Sequence, residues 1–143
     1  MDLDRLKHSY GVAKKMQEIG KKLNLNEKEQ NNLFIIGLIH DIGYQFTDTL
    51  EIHNKVGGEY LKQVNYKYWR EIYYHGEINI EYESLYLDLL NIADLQIDKY
   101  GEDVGFSNRL IDIKNRYKED SLVYKKCEKL TEKLKNKYKN ILN

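Results

Sequence analysis

The sequence predicts an all-α fold, a bundle of about six to seven helices, and three observations carry that prediction. Apolar residues recur at helical spacing in one stretch after another. No segment alternates with period two, and there are no internal repeats or low-complexity runs. The chain has no proline to interrupt a helix.

Residues 4–23 read as the first helix, with Val12, Met16, Ile19 and Leu23 on one stripe that reaches His8 one turn earlier. Asn26 followed by Glu29 has the form of a capping box and opens a second helix over 27–41. That helix carries the apolar run Leu33-Phe34-Ile35-Ile36-Gly37-Leu38-Ile39 and ends on His40-Asp41-Ile42-Gly43. Gly43 is expected to close it in the left-handed conformation. Residues 44–52 read as a loop. A third helix starts near His53, with Val56, Tyr60, Leu61 and Val64 inward. Its Gly57-Gly58 pair costs about 1 kcal/mol per glycine relative to alanine, and close approach to another helix is the expected return.

Asn65 breaks the pattern. Residues 66–75 form a fourth helix with Tyr68, Trp69 and Ile72 inward and His75 on the same side. Residues 82–98 are apolar around nearly the whole circumference, through Leu85, Leu87, Leu89, Leu90, Ile92 and Ala93, so this helix is central. Asp94 lies on its line Leu87, Leu90, Asp94, Ile97. Residues 76–81 and 101–105 are loops. Residues 106–117 form a sixth helix, with Leu110, Ile113 and Tyr117, and residues 121–141 a last one. Its basic run from Lys125 to Lys139 is read as a solvated face.

Length and composition set the bounds. The 143 residues suit one domain, 1–143, with a core over about 5–117. A formal net charge of zero argues against an electrostatic grip on nucleic acid or an anionic membrane. No apolar stretch approaches the ~18 residues of a membrane span. One cysteine, Cys127, allows no internal disulfide, and the first residues lack a signal-peptide pattern, so a cytoplasmic location is expected.

The polar residues on inward faces carry the chemistry. All four histidines, His8, His40, His53 and His75, fall on apolar faces of different predicted helices. Asp41 and Asp94 join them at inward or helix-end positions. Each buried polar group needs a partner, and an ionised carboxylate needs an opposite charge or a metal. One shared metal centre satisfies all six. Imidazole mixed with carboxylate suits Fe, Mn, Zn or Co more than Ca or Mg.

The order His8, His40-Asp41, Asp94 resembles the HD-domain superfamily of metal-dependent phosphohydrolases, and His40 to Gly43 spells the HDIG form of its signature. The resemblance covers residues 5–117. His53 and His75 match the two additional histidines of the dinuclear members. It implies a divalent transition metal, one or two ions. The first is held by His8, His40, Asp41 and Asp94, and the second by His53 and His75 with Asp41 bridging. Nothing matches the extension of cyclic-di-GMP phosphodiesterases or the insertions of deoxynucleotide triphosphohydrolases.

By the same resemblance, Asp41 and His40 are catalytic, and a metal-activated hydroxide cleaves a small phosphorylated molecule, a nucleotide or related phosphoester or anhydride. The absence of any nucleophile elbow or triad fits that mechanism. A phosphate substrate calls for a cationic clamp, for which Lys55, Arg109 and Arg116 are candidates, and Tyr44 is a candidate substrate contact. Two other readings keep the same family: a diiron oxygenase that oxidises a C–H bond with O₂, and a non-enzymatic ligand-binding module.

Overall fold

Asp2 starts the first helix by accepting the Arg5 backbone N–H at 2.9 Å, and α1 then runs Leu3–Lys22. The structure is a computed structural model that describes residues 2–142, with side chains through residue 140. Met1 and Asn143 of the predicted domain lie outside the described residues, as does the side chain of Ile141 at the end of the predicted last helix. The chain continues through α2 (Glu27–Ile39), α3 (His53–Gln63), α4 (Trp69–Tyr74), α5 (Leu85–Asp94), α6 (Gly105–Tyr117), α7 (Leu122–Lys137) and a short α8 (Lys139–Leu142). No strand occurs among the described residues, and the fold is all-α.

The expected capping box is formed. Asn26 accepts from the Glu29 N–H at 2.8 Å, and Glu29 accepts from the Asn26 N–H at 3.1 Å. α1 packs along α2, and α5 lies against α1, α2, α4 and α7. Val12, Met16, Leu33, Ile36, Ile72, Leu90 and Ala93 are fully buried between them. Leu89 and Ile92 are each 1 % exposed, so α5 is central as its composition requires. Two apolar expectations fail at the rim of this core. Leu85 is 40 % exposed because it opens α5, and Ile35 and Leu38 of the apolar run face outward from α2.

Several boundaries are shorter than the periodicity suggests. α2 stops at Ile39, with His40 as its C-cap, and the chain tightens into a 3₁₀ turn over Ile42–Gln45. A second 3₁₀ turn, Leu50–Ile52, leads straight into α3. α4 starts at Trp69, after Asn65 takes a left-handed φ of 62°. α5 begins only at Leu85, where the Ser84 hydroxyl accepts from the Leu87 N–H, and ends at Asp94.

Gly43 does not close α2 in the left-handed region, because it lies inside the 3₁₀ turn and is not among the residues with positive φ. Its requirement is steric. A Cβ at Gly43 would run into the His53 carbonyl, and one at Gly57 would lie 2.9 Å from the Gly43 nitrogen. The signature turn and α3 therefore meet backbone to backbone. A Cβ at Gly58 would strike Tyr73 of α4. The close approach expected of Gly57-Gly58 is thus present twice. It also corrects the predicted inner face of α3: Asn54, Gly57, Gly58 and Leu61 are buried, whereas Tyr60 and Val64 are 38 % and 54 % exposed.

Candidate metal centre

Five of the six predicted ligands stand at or beside helix ends. His40 caps α2, Asp41 follows it, His53 opens α3, His75 caps α4 and Asp94 is the last residue of α5. His8 alone lies inside a helix, α1, on its buried face. Helix ends let neighbouring residues turn toward one point, which a helix interior forbids to His40 and Asp41. His8 Nε2 is 2.8 Å from an Asp94 oxygen, and His40 Nε2 is 3.5 Å from the same atom. Asp41 divides its oxygens. Oδ2 is 3.3 Å from His40 Nε2 and 3.9 Å from His8 Nε2, and Oδ1 is 3.2 Å from His53 Nε2 and 3.6 Å from His75 Nε2. Three interlocking groups, His8-His40-Asp41, His40-His75-Asp94 and Asp41-His53-His75, each keep their ligand atoms within 4.8 Å of one another.

The second ring nitrogen of every histidine identifies the tautomer. Nδ1 faces a backbone carbonyl in each case: Asp98 at 3.0 Å for His8, Gly37 at 2.7 Å for His40, Leu50 at 2.5 Å for His53 and Ile72 at 2.6 Å for His75. A carbonyl only accepts, so Nδ1 carries the proton and each Nε2 presents a lone pair to the centre. Those lone pairs confront carboxylate oxygens and, between His53 and His75, each other at 3.2 Å. The fully buried His40 Nε2 has no hydrogen-bond partner at all. Lone pairs converging on carboxylates require a cation among them, and the donor set fits a divalent transition metal.

Without such a cation, protons must serve instead. Burial alone lowers the His40 pKa, but the Asp41 charge and the adjacent Asp94 outweigh it and raise it to about 9. Burial works against the charged form of Asp41. The His40 charge, with hydrogen bonds from His53 and His75, holds its carboxyl well below the usual range nonetheless. Asp94 is held low in the same way by His40 and His8. His75 moves down, since burial and the neighbouring imidazoles outweigh the pull of Asp41.

The centre opens into a cavity of about 430 Å³. Of the residues proposed to meet substrate, Tyr44, Arg109 and Arg116 line it, and Arg109 Nε donates to the Asp94 carbonyl at 3.1 Å. Lys55 does not. It is exposed on α3, outside the cavity wall, because the two positions from His53 to Lys55 carry it around the helix. Arg5, Lys99 and Lys126 line the cavity without having been singled out. Arg5 was findable, since it stands three residues before His8 on the same helical face. Lys126 corrects the reading of 125–139 as a wholly solvated run: it pairs with Glu77 at 2.9 Å, and Asn54 Nδ2 donates to Glu77 Oε1 at 3.2 Å. Leu50, Leu95, Ile113 and Val123 supply an apolar wall.

An all-helical chain that turns four imidazoles and two carboxylates toward one point defines a helical protein with a centre able to hold a metal ion. The chain belongs to the HD domain family, whose model matches residues 5–134 and so extends past the predicted core into α7. Members of this superfamily are commonly metal-dependent phosphohydrolases. Neither comparison with curated proteins nor comparison with solved structures gave a match. No helix among the described residues is long and apolar enough to cross a membrane.

Proposed function

We propose that this protein is a phosphohydrolase that uses two divalent transition-metal ions, Fe, Mn, Zn or Co, to cleave a small phosphorylated molecule such as a nucleotide. The observation that carries this reading is the division of Asp41, whose two oxygens face two different histidine pairs in a cavity whose mixed charged lining includes Arg109 and Arg116. His8, His40, Asp41 and Asp94 would hold one ion; His53, His75 and the second oxygen of Asp41 would hold the other. When bound, such ions lower the pKa of water and neutralise charge on phosphoryl oxygens.

The chain's own residues do the rest. Asp41 stays ionised, and every Nδ1 proton is committed to a carbonyl, so the Nε2 lone pairs remain directed at the centre. Arg109, anchored through Nε, keeps the remainder of its guanidinium for an anion, and Arg116 and Arg5 add positive charge along the wall. The apolar side of the cavity takes the organic part of the substrate and excludes water. Cys127 also lines the cavity, but burial and the Asp94 charge push its thiol up to about 11, so it stays protonated at neutral pH and is not the nucleophile.

The test is phosphate release from a panel of nucleotides and a generic phosphoester, using protein stripped with chelator and reloaded with Mn²⁺ or Fe²⁺. Activity should appear only on reloading and vanish in Asp41→Ala. Turnover that survives in stripped protein or in Asp41→Ala overturns the mechanism. Substrate-dependent O₂ consumption without phosphate release transfers the centre to oxygenase chemistry.

A further inference from the structure

Three of the four histidine rings are held by the core. His8, His40 and His75 are 7 %, 0 % and 3 % exposed, and this burial restrains their planes. His53 is different. It opens α3 in the cavity wall, and its side chain is the most exposed of the four, at 12 %. Its hydrogen bond to the Leu50 carbonyl fixes the direction of Nδ1, and its Nε2 faces Asp41 Oδ1 and His75 Nε2, each at 3.2 Å. These contacts run along the ring's edge; its face is covered by Tyr44, which stacks on the imidazole at 4.4 Å between centroids and 10° between planes. The other face of Tyr44 is covered too, by the Arg5 guanidinium, whose Cζ stands 3.4 Å from the ring centroid.

We infer that Tyr44 is a positioning residue: clamped by Arg5 on one face, it holds the plane of His53 for the cation position shared by His53, His75 and Asp41. This rests on the two-ion reading above. The stack adds on the cavity side of His53 the packing that the core gives the other three imidazoles. It also removes Tyr44 as a platform for a substrate ring, because both of its faces are taken. Support around a ligand is commonly worth about 10–100-fold in metal affinity. Only the step that depends on His53 should lose it.

Calorimetric titration of chelator-stripped protein with Mn²⁺ alone tests this directly. Wild type should show two binding steps. Tyr44→Leu, which keeps apolar bulk but no ring, should weaken one step by about tenfold or more and leave the other within about twofold. Tyr44→Phe, which keeps the ring, should restore wild-type behaviour. Arg5→Met, on the exposed first turn of α1, should weaken the same step by about threefold, the worth of an exposed cation–π contact. It tests the stack even if Tyr44→Leu folds poorly. Two steps that both survive in Tyr44→Leu, or that weaken equally, overturn the role of Tyr44 while leaving the two-ion reading standing. A single step in wild type overturns both.

Discussion

Asp41 meets His53 through Oδ1 at 3.2 Å, while Oδ2 is turned to His40 and His8 on the other side. One carboxylate thus joins a histidine pair from α1 and α2 to a pair from α3 and α4. It is the residue through which the two halves of the centre communicate. Removing it leaves the converging lone pairs of four imidazoles with only Asp94 to balance a cation.

Replacement of Asp41 should therefore be worse than replacement of any single histidine. Asp41→Asn, nearly the same shape without the charge, is expected to lose bound metal at both positions and to reduce turnover by at least about 10²-fold. Metal content by elemental analysis, read beside phosphate release, checks this. His53→Ala should keep one ion.

The stripped protein carries its own pH signature. His40 has a folded-state pKa near 9 against an ordinary 6.5, so its contribution to stability is complete below pH 6.5 and is lost as pH rises through about 9. Asp41 and Asp94, held low, contribute above the ordinary carboxylate range and lose that contribution as pH falls below it. His75, shifted down, costs stability below pH 6.5. Melting temperatures of stripped protein should fall between pH 7 and 9.5, and saturating metal should abolish that fall by taking the place of the proton. By the same linkage, apparent metal affinity should climb by about tenfold per pH unit below pH 9, for one proton released.

Gly43→Ala is expected to destabilise the chain by about 1–3 kcal/mol, since the added Cβ meets the His53 carbonyl rather than a movable side chain. In a domain of this size that is about 2–4 °C per kcal/mol in melting temperature. The same substitution should weaken metal binding, because it displaces the first turn of α3, which carries His53. A loss of stability with metal affinity intact would separate the glycine from the centre.

The role of individual cations in the cavity lining can be dissected by charge removal. Arg116→Ala should raise KM for a phosphorylated substrate by about tenfold, the worth of one charge-assisted hydrogen bond. Lys55→Ala, outside the cavity, should leave KM unchanged. Equal effects of the two would mean that general positive potential, not contact, attracts the substrate.

Sequence reasoning reached the six converging side chains because they violate their surroundings: a histidine or aspartate on an apolar face needs a reason. It reached the all-α fold through the same periodicity. It failed where the closest contacts are made by residues with the least side chain. On α3 the apolar stripe through Tyr60 and Val64 pointed outward, and the pair Gly57-Gly58 marked the buried face instead. Lys126 looks like an ordinary helix-surface charge until the fold brings α7 to the cavity. Tyr44 was visible as a neighbour of the signature, but its stacking on His53 depends on two turns of 3₁₀ backbone that no periodicity announces.

The crossing of Gly43 with Gly57 has a consequence for how the chain can vary. The height of His40 and Asp41 relative to His53 is set by main-chain contact across the crossing, and between the two 3₁₀ turns only the short stretch Thr47 to Thr49 serves as a tether. Insertions at Asp48, the tip of that tether, should therefore leave the metal-facing side chains on either side in alignment. The two sides behave as parts fastened at a rivet, and only the few links farthest from it are expendable.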